Sequence, residues 1–479
     1  MLKKTLLLLS IPISFVYLQA QDVSVITNTV DIYSGNPING TSKFNSMAGS
    51  MGALGGDISS ASVNPAGIGV FIASDVNLTL GINNNKNTTT LAGRSLINKS
   101  NYTDLNNSGG VLAINLGETA SKWKFVNIGI NYSTQSVDNY TESAGNQNIQ
   151  LASNPILATP ANYSFQGHAY NRYGDISKTS FTVGANYDNR LYFGAGLNFH
   201  NSYLSQDDNA VFKNNVTNVN SIFDKQYTNF EERADGFSAN IGVIAKLSNQ
   251  FRVGAAIETP TWWNMDRYYN LYSPNDNYYD RPYEDRKLST PMKASISAAF
   301  VPSKNFALNV DFIQGITKPK YKEYGGAERE LNDFFSDSYK NSSEVRVGAE
   351  YRVAAFRVRG GYAYQGNSFD NTSISSFNDN GTTSNQSYSN LFVGKRNVIG
   401  AGIGYDFQAF YIDASYQNIS STYSSPYLYG IKTSVDPEPY QTSGYYSDPA
   451  GTELLSSSSA VSKVKNKRDN FFITLGWKF

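Results

Sequence analysis

The chain has 479 residues, with Lys plus Arg and Asp plus Glu both at 39, so its formal net charge is zero. That balance excludes a global attraction for nucleic acid or for an acidic partner. Charged residues make up only 16% and aromatics 14%, and cysteine is absent, which excludes a disulfide framework, thiolate metal sites and a lipoprotein anchor.

The first twenty residues, "MLKKTLLLLSIPISFVYLQA", place Lys3 and Lys4 before a short apolar core that Pro12 interrupts, with Ala20 ahead of the polar Gln21. This is the pattern of a signal peptide cleaved after Ala20, so residues 1–20 are expected to be an export signal. No later stretch approaches the roughly 20 apolar residues that a membrane-spanning helix needs. Residues 21–73 do not alternate. They are rich in small residues, as in "FNSMAGSMGALGGDISSASVNPAGIG", with Pro65 stiffening a turn and glycines permitting close backbone packing. Composition leaves a periplasmic tail, a linker and a plug as readings of this segment.

From residue 74 onward the pattern has period two, which predicts strands near 74–83, 109–117, 122–133, 177–187, 190–203, 235–247, 250–258, 291–301, 304–314, 343–352, 355–365, 396–405, 408–418 and 469–479. Their connections sort into tight turns, such as 187–190, 247–250, 301–305 and 405–408, and long polar loops, such as 134–176, 204–234, 259–290, 315–342, 366–395 and 419–468. Short turns at one end and long loops at the other are the habit of an outer-membrane barrel. The expected fold is therefore all-β, a transmembrane antiparallel barrel of fourteen strands spanning 74–479, in the outer membrane of a Gram-negative bacterium.

The faces support this. Val345, Val347, Ala349 and Tyr351 alternate with Arg346, Gly348, Glu350 and Arg352, and across the turn Phe356 and Val358 alternate with Arg357 and Arg359. An Arg facing lipid near the midplane costs roughly 2–4 kcal/mol. Arg346, Arg357 and Arg359 are therefore expected in the lumen, with Glu350, Asp311 and Asp413 as acidic partners on equivalent faces. Backbone groups at membrane depth must all be paired, which requires a closed sheet. The last strand, ending on the aromatic Phe479, is expected to close on the first, and such a terminus resembles the recognition signal of the barrel-assembly machinery.

Other constellations are weak. Of the two histidines, His168 is expected in a loop and His200 on an inward face beside Asn198, without a nucleophile held alongside. No enzyme activity and no cofactor are expected. "SPNDNYYDRPYED" (273–285) offers oxygen ligands for calcium but is more simply read as solvated, and "KVKNKR" (463–468) is either a patch that meets lipopolysaccharide phosphates at the outer rim or a solvated loop end.

The segments "SMAGSMGALGGD", "ISSAS" and "VNPAG", followed by the first strand, resemble the amino-terminal hatch of the FadL/TodX family, outer-membrane transporters of long-chain fatty acids and other hydrophobic compounds. Successive hairpins such as "GFSANIGVIAKLSNQFRVGAAIETP" resemble the same family, so the likeness covers nearly the whole mature chain. The resemblance implies that residues 21–73 form a hatch inside the lumen, with Asn64, Pro65, Ala66 and Gly67 at its turn near the ligand path. It also implies a monomer in outer-membrane lipid that passes a hydrophobic small molecule, fatty-acid-like or aromatic, when the hatch moves. A general polar diffusion pore and a non-transport surface protein are the alternatives that the residues leave open.

Overall fold

The computed structural model describes residues 23–117, 121–153, 161–273, 278–280, 282–431 and 444–479. The proposed signal peptide, and residues 274–277 and 281 of the candidate calcium loop, lie outside them.

Fourteen strands form the wall: β1 (Asp75–Leu91), β2 (Arg94–Asn115), β3 (Trp123–Ser136), β4 (Asn162–Tyr187), β5 (Leu191–Asn214), β6 (Phe230–Lys246), β7 (Phe251–Glu258 and Trp262–Tyr269), β8 (Tyr283–Ser289 and Lys293–Ser303), β9 (Phe306–Gly315), β10 (Ser343–Val353), β11 (Phe356–Gln365), β12 (Arg396–Asp406), β13 (Phe410–Tyr427) and β14 (Ala460–Lys478). Each pairs antiparallel with its neighbours in sequence. The sheet closes where β1 meets β14, from Asp75 opposite Lys478 to Thr90 opposite Lys463. Phe479 completes the seam by exchanging backbone hydrogen bonds with Ser74, at 3.0 and 3.1 Å. Closure leaves no unpaired edge in the bilayer.

The alternation decides which way each side chain points. Along β1, Val76, Leu78, Leu80 and Ile82 face out, while Asn77, Thr79 and Asn83 are buried inside. On β14, Phe471, Ile473, Leu475 and Trp477 form the matching outer stripe. Strands β7 and β8 are each interrupted at a Thr-Pro pair, Thr259-Pro260 and Thr290-Pro291, because proline has no N–H to give to the ladder. The Thr259 hydroxyl accepts from Ala239 N at 3.0 Å and Thr290 N donates to Thr261 O at 3.1 Å, so the wall stays stitched there.

The fourteen predicted strands are all present, but several run much further outward than the sequence suggested. Most of the stretches expected as loops at 134–176 and 204–234 is strand: β4 and β5 stay paired from Tyr187 opposite Leu191 to Tyr163 opposite Asn214. Beyond the bilayer both faces meet water or other loops, so the pairing continues without the apolar alternation that marks a lipid-facing strand. His168, expected in a loop, consequently sits in β4.

At this outer end, the short helix Val23–Asn28 packs into an apolar cluster with Phe334 and Phe335 of the helix Gly326–Ser338 and with Phe369 and Phe392. From there the chain descends through the lumen and leaves for β1 at the end carrying the short turns.

Candidate functional site

Residues 36–71 fill the middle of the barrel, and most of their side chains are fully buried. The segment holds itself together by capped short turns. Thr41 Oγ1 accepts from Phe44 N and donates to Asp57 Oδ2 at 2.7 Å, while Asp57 Oδ1 caps the turn Ile58–Ser62 through Ser59 N at 2.9 Å. Asn64 does the same for Pro65–Val70, its Oδ1 accepting from Ala66 N at 3.0 Å. Gly55 and Gly56 adopt φ of +60° and +68°, which a side chain would strain.

The wall receives this segment through polar side chains. Asp311 accepts from Met51 N at 3.0 Å and Gly52 N at 3.1 Å, and Asn309 Oδ1 accepts from Ala53 N at 3.2 Å. Asn64 Nδ2 donates to Gly52 O at 2.8 Å and to Val243 O on β6 at 3.1 Å. Asn240 donates to Ala61 O at 3.0 Å, and Asn127 to Ile68 O at 2.8 Å. Where the wall carries no side chain, backbone meets backbone. A β-carbon at Gly194 would overlap Pro65, one at Gly242 the Asn64 amide, and one at Gly361 the Met47 carbonyl.

The expected lumenal residues fall in several places. Asn64, Pro65, Ala66 and Gly67 are buried at the β6 side of the plugging segment. Arg359 is buried and bridges Glu350 Oε2 at 2.6 Å and Asp413 Oδ1 at 2.7 Å. Arg346 lies directly opposite Asp311. Its 2.9 Å ion pair is instead with Glu344, two residues away on the same strand, because the hatch amides occupy the Asp311 carboxylate. Arg357 sits near the short-turn rim, paired with Asp406 at 3.0 Å. The residues that seat the plug, Asn127, Asn240, Asn309 and Asn64 Nδ2's partner strand β6, were not singled out in the sequence. The inward positions around them, such as Gly129, Asn131 and Ser238, are small or polar as well, so nothing in the pattern sets them apart.

The plug lies between two empty spaces. The outer chamber has apolar walls in Tyr33, Ile38, Trp263, Val398 and Phe472. Its lining residues include five cations, Arg172, Lys178, Lys293, Arg396 and Arg468, against two carboxylates, Asp31 and Glu258. Around it Asn83 Nδ2, Asn106 Oδ1, Gln135 Oε1 and Trp263 Nε1 are buried and meet no protein partner. The inner chamber opens below the plug between Lys43, Asp57, Glu350, Arg359 and Asp413. The outer chamber thus joins apolar walls to cationic and hydrogen-bonding groups, and the plug separates it from the inner one.

His200, on the inward face of β5, borders the outer chamber and pairs with Ser238 Oγ at 3.1 Å. His168 lies beyond the membrane, stacked 4.0 Å from Tyr427, with Nε2 2.9 Å from Asp208 Oδ1. Tyr446 OH also donates to Asp208 at 2.8 Å. Burial works against the Asp208 charge, but His168 and Lys225 outweigh it and hold the carboxyl below its usual range.

Solved structures share this fold. The chain superposes on a Pseudomonas aeruginosa FadL homologue with a TM-score of 0.54 at 12% identity, covering 91% of this chain and 98% of that one. The P. putida toluene transporter TodX gives 0.53 at 11% identity, covering 92% and 99%, and the Ralstonia pickettii toluene transporter TbuX gives 0.52 at 12%, covering 92% and 99%. No protein-family model and no curated protein sequence matches the chain.

Proposed function

We propose that the protein is a passive outer-membrane transporter for hydrophobic small molecules, fatty-acid-like or aromatic, in which residues 21–73 act as a hatch that shifts when ligand binds. Residues 1–20 serve as the export signal. The observation that carries this reading is the buried plug standing between the outer and inner chambers. The shared fold with a FadL homologue and two toluene transporters supports it. An apolar ligand entering the outer chamber gains about 25 cal/mol per Å² of apolar area buried. It moves the hatch only to the extent that it binds the displaced arrangement more tightly than the seated one. The hatch is suited to this because polar contacts with the wall and small, separate apolar clusters hold it in place.

The test is uptake into liposomes. The intact protein should pass toluene or a fatty acid and exclude small sugars. A variant lacking residues 22–66 should leak sugars. Free passage of sugars through the intact protein would instead identify a general diffusion pore.

A further inference from the structure

The outward face above the lipid stripe is charged unevenly around the barrel. On β14, Lys463, Lys465 and Lys467 all point out, on the same face as Phe471, Ile473, Leu475 and Trp477 below them. Lys467 lies directly across from Lys86 on β1, and Lys86 directly across from Lys99 on β2. Three lysines thus stand side by side on one face, where like charges directly opposite one another are destabilising. On the far wall, β4 to β8 present Asp175, Asp235, Asp266 and Asp285 outward, with Arg233 and Lys287.

Next to the lysine row, an open groove of ≈ 1500 Å³ runs between the wall and the loops above it. Lys340, Lys395 and Lys465 line it together with Asn397, Ser420 and Thr422. Lys340 is exposed, with Asp370 3.5 Å away. Along β14, Lys467 is four residues beyond Phe471, about 13 Å along the strand at roughly 3.4 Å per residue. The strand's tilt of about 40° lowers that to about 10 Å above the apolar stripe. Headgroups extend roughly 5–7 Å beyond the hydrocarbon, and lysine stems reach back toward an interface.

We propose that strands β12, β13, β14, β1 and β2 carry a binding surface for a phosphorylated glycolipid of the outer leaflet. The lysine row takes its phosphates, and the amide and hydroxyl groups of the groove take its sugar. The charge pattern selects the occupant: Lys467, Lys86 and Lys99 lie nearest headgroup height, with Lys465 and Lys463 above them, and with Asp469 beside Lys467 and Lys86 they still leave a net positive patch that fits an anionic lipid, whereas the more acidic far wall does not. The surface is independent of the lumen and of what passes through it.

Native mass spectrometry of the folded, full barrel in detergent tests this by titration with bis-phosphorylated lipid A, the dephosphorylated lipid and inorganic phosphate. The phosphorylated lipid should be retained in preference to the dephosphorylated one. The combined Lys86→Ser, Lys99→Ser and Lys467→Ser variant should weaken its retention at least about ten-fold. Removing Arg233 and Lys287 from the far wall should leave retention unchanged. Equal retention by the triple lysine variant, equal retention of both lipids, or complete displacement by inorganic phosphate would overturn the proposal. If the triple variant does not fold, Lys86→Ser with Lys99→Ser and the salt dependence of the wild type decide. Retention that is unaffected by either change would refute the surface.

Discussion

The side-chain amide of Asn64 reaches the Val243 carbonyl, 3.1 Å away, and so joins the plug to strand β6. The same side chain caps the turn after it and ties back to Gly52, making one residue responsible for three contacts. Replacing Asn64-Pro65 with Ala-Gly should therefore loosen the hatch while leaving the barrel closed. Loss of the cap alone costs about 1 kcal/mol. Hydrophobic uptake should fall while heat-modifiable gel migration is retained; unchanged uptake would make the turn a mere leader into β1.

Asp311 holds two backbone amides of the plug, at Met51 and Gly52. Asp311→Ala should orphan both in a buried place, at a cost of about 1–3 kcal/mol for each unsatisfied group. Hydrogen exchange at Met51 and Gly52 should accelerate in this variant, with exchange in β9 and β10 little changed. Protection equal to the wild type would show that the carboxylate does not anchor the plug.

Gly194 permits the wall to touch Pro65 directly. Gly194→Val places atoms where the Pro65 backbone lies, so the plug must move or the strand must bend. The expected result is a sugar leak in liposome swelling from a barrel that still assembles. A tight barrel with normal uptake would contradict the contact.

Arg359 is buried between Glu350 and Asp413. Arg359→Ala leaves Asp413 without its cation, while Glu350 keeps Arg352 at 2.6 Å, and should cost about 3–5 kcal/mol, as for other broken buried pairs. The denaturant midpoint of the folded barrel reads this directly. Arg357→Ala, at the more exposed rim pair with Asp406, should shift it far less.

Outside the membrane, Asp208 has its carboxyl held below the usual range. Its contribution is then fully present above the unfolded value of about 3.9 and is lost as pH falls through the lower folded one. Protease nicking of the outer extensions should consequently rise only in strong acid in the wild type. Asp208→Asn should make nicking insensitive to pH in that window.

The wall was legible because lipid imposes a strict rule on every second residue, as from Phe471 to Trp477. Outside the bilayer that rule lapses, and the paired stretch from Asn201 to Asn214 shows no stripe that would reveal it as strand. Within the lumen the sequence placed Arg346 and Asp311 on facing positions, and the register puts them opposite one another. It could not show that the plug's backbone takes the Asp311 carboxylate, since Met51 and Gly52 lie some 260 residues earlier in the chain. Residues such as Asn127 and Asn240 likewise gain meaning only when a separate segment is threaded past them.

That threading bears on how the molecule is made. The plug is bonded to β3, β6, β8 and β9, and Ser42 N also meets Thr474 Oγ1 on the last strand at 2.7 Å. Because β14 is synthesised last and then zips to β1, the plug's berth is complete only once that seam has formed. A cylinder still open at that seam therefore lacks part of the berth that holds its barrier.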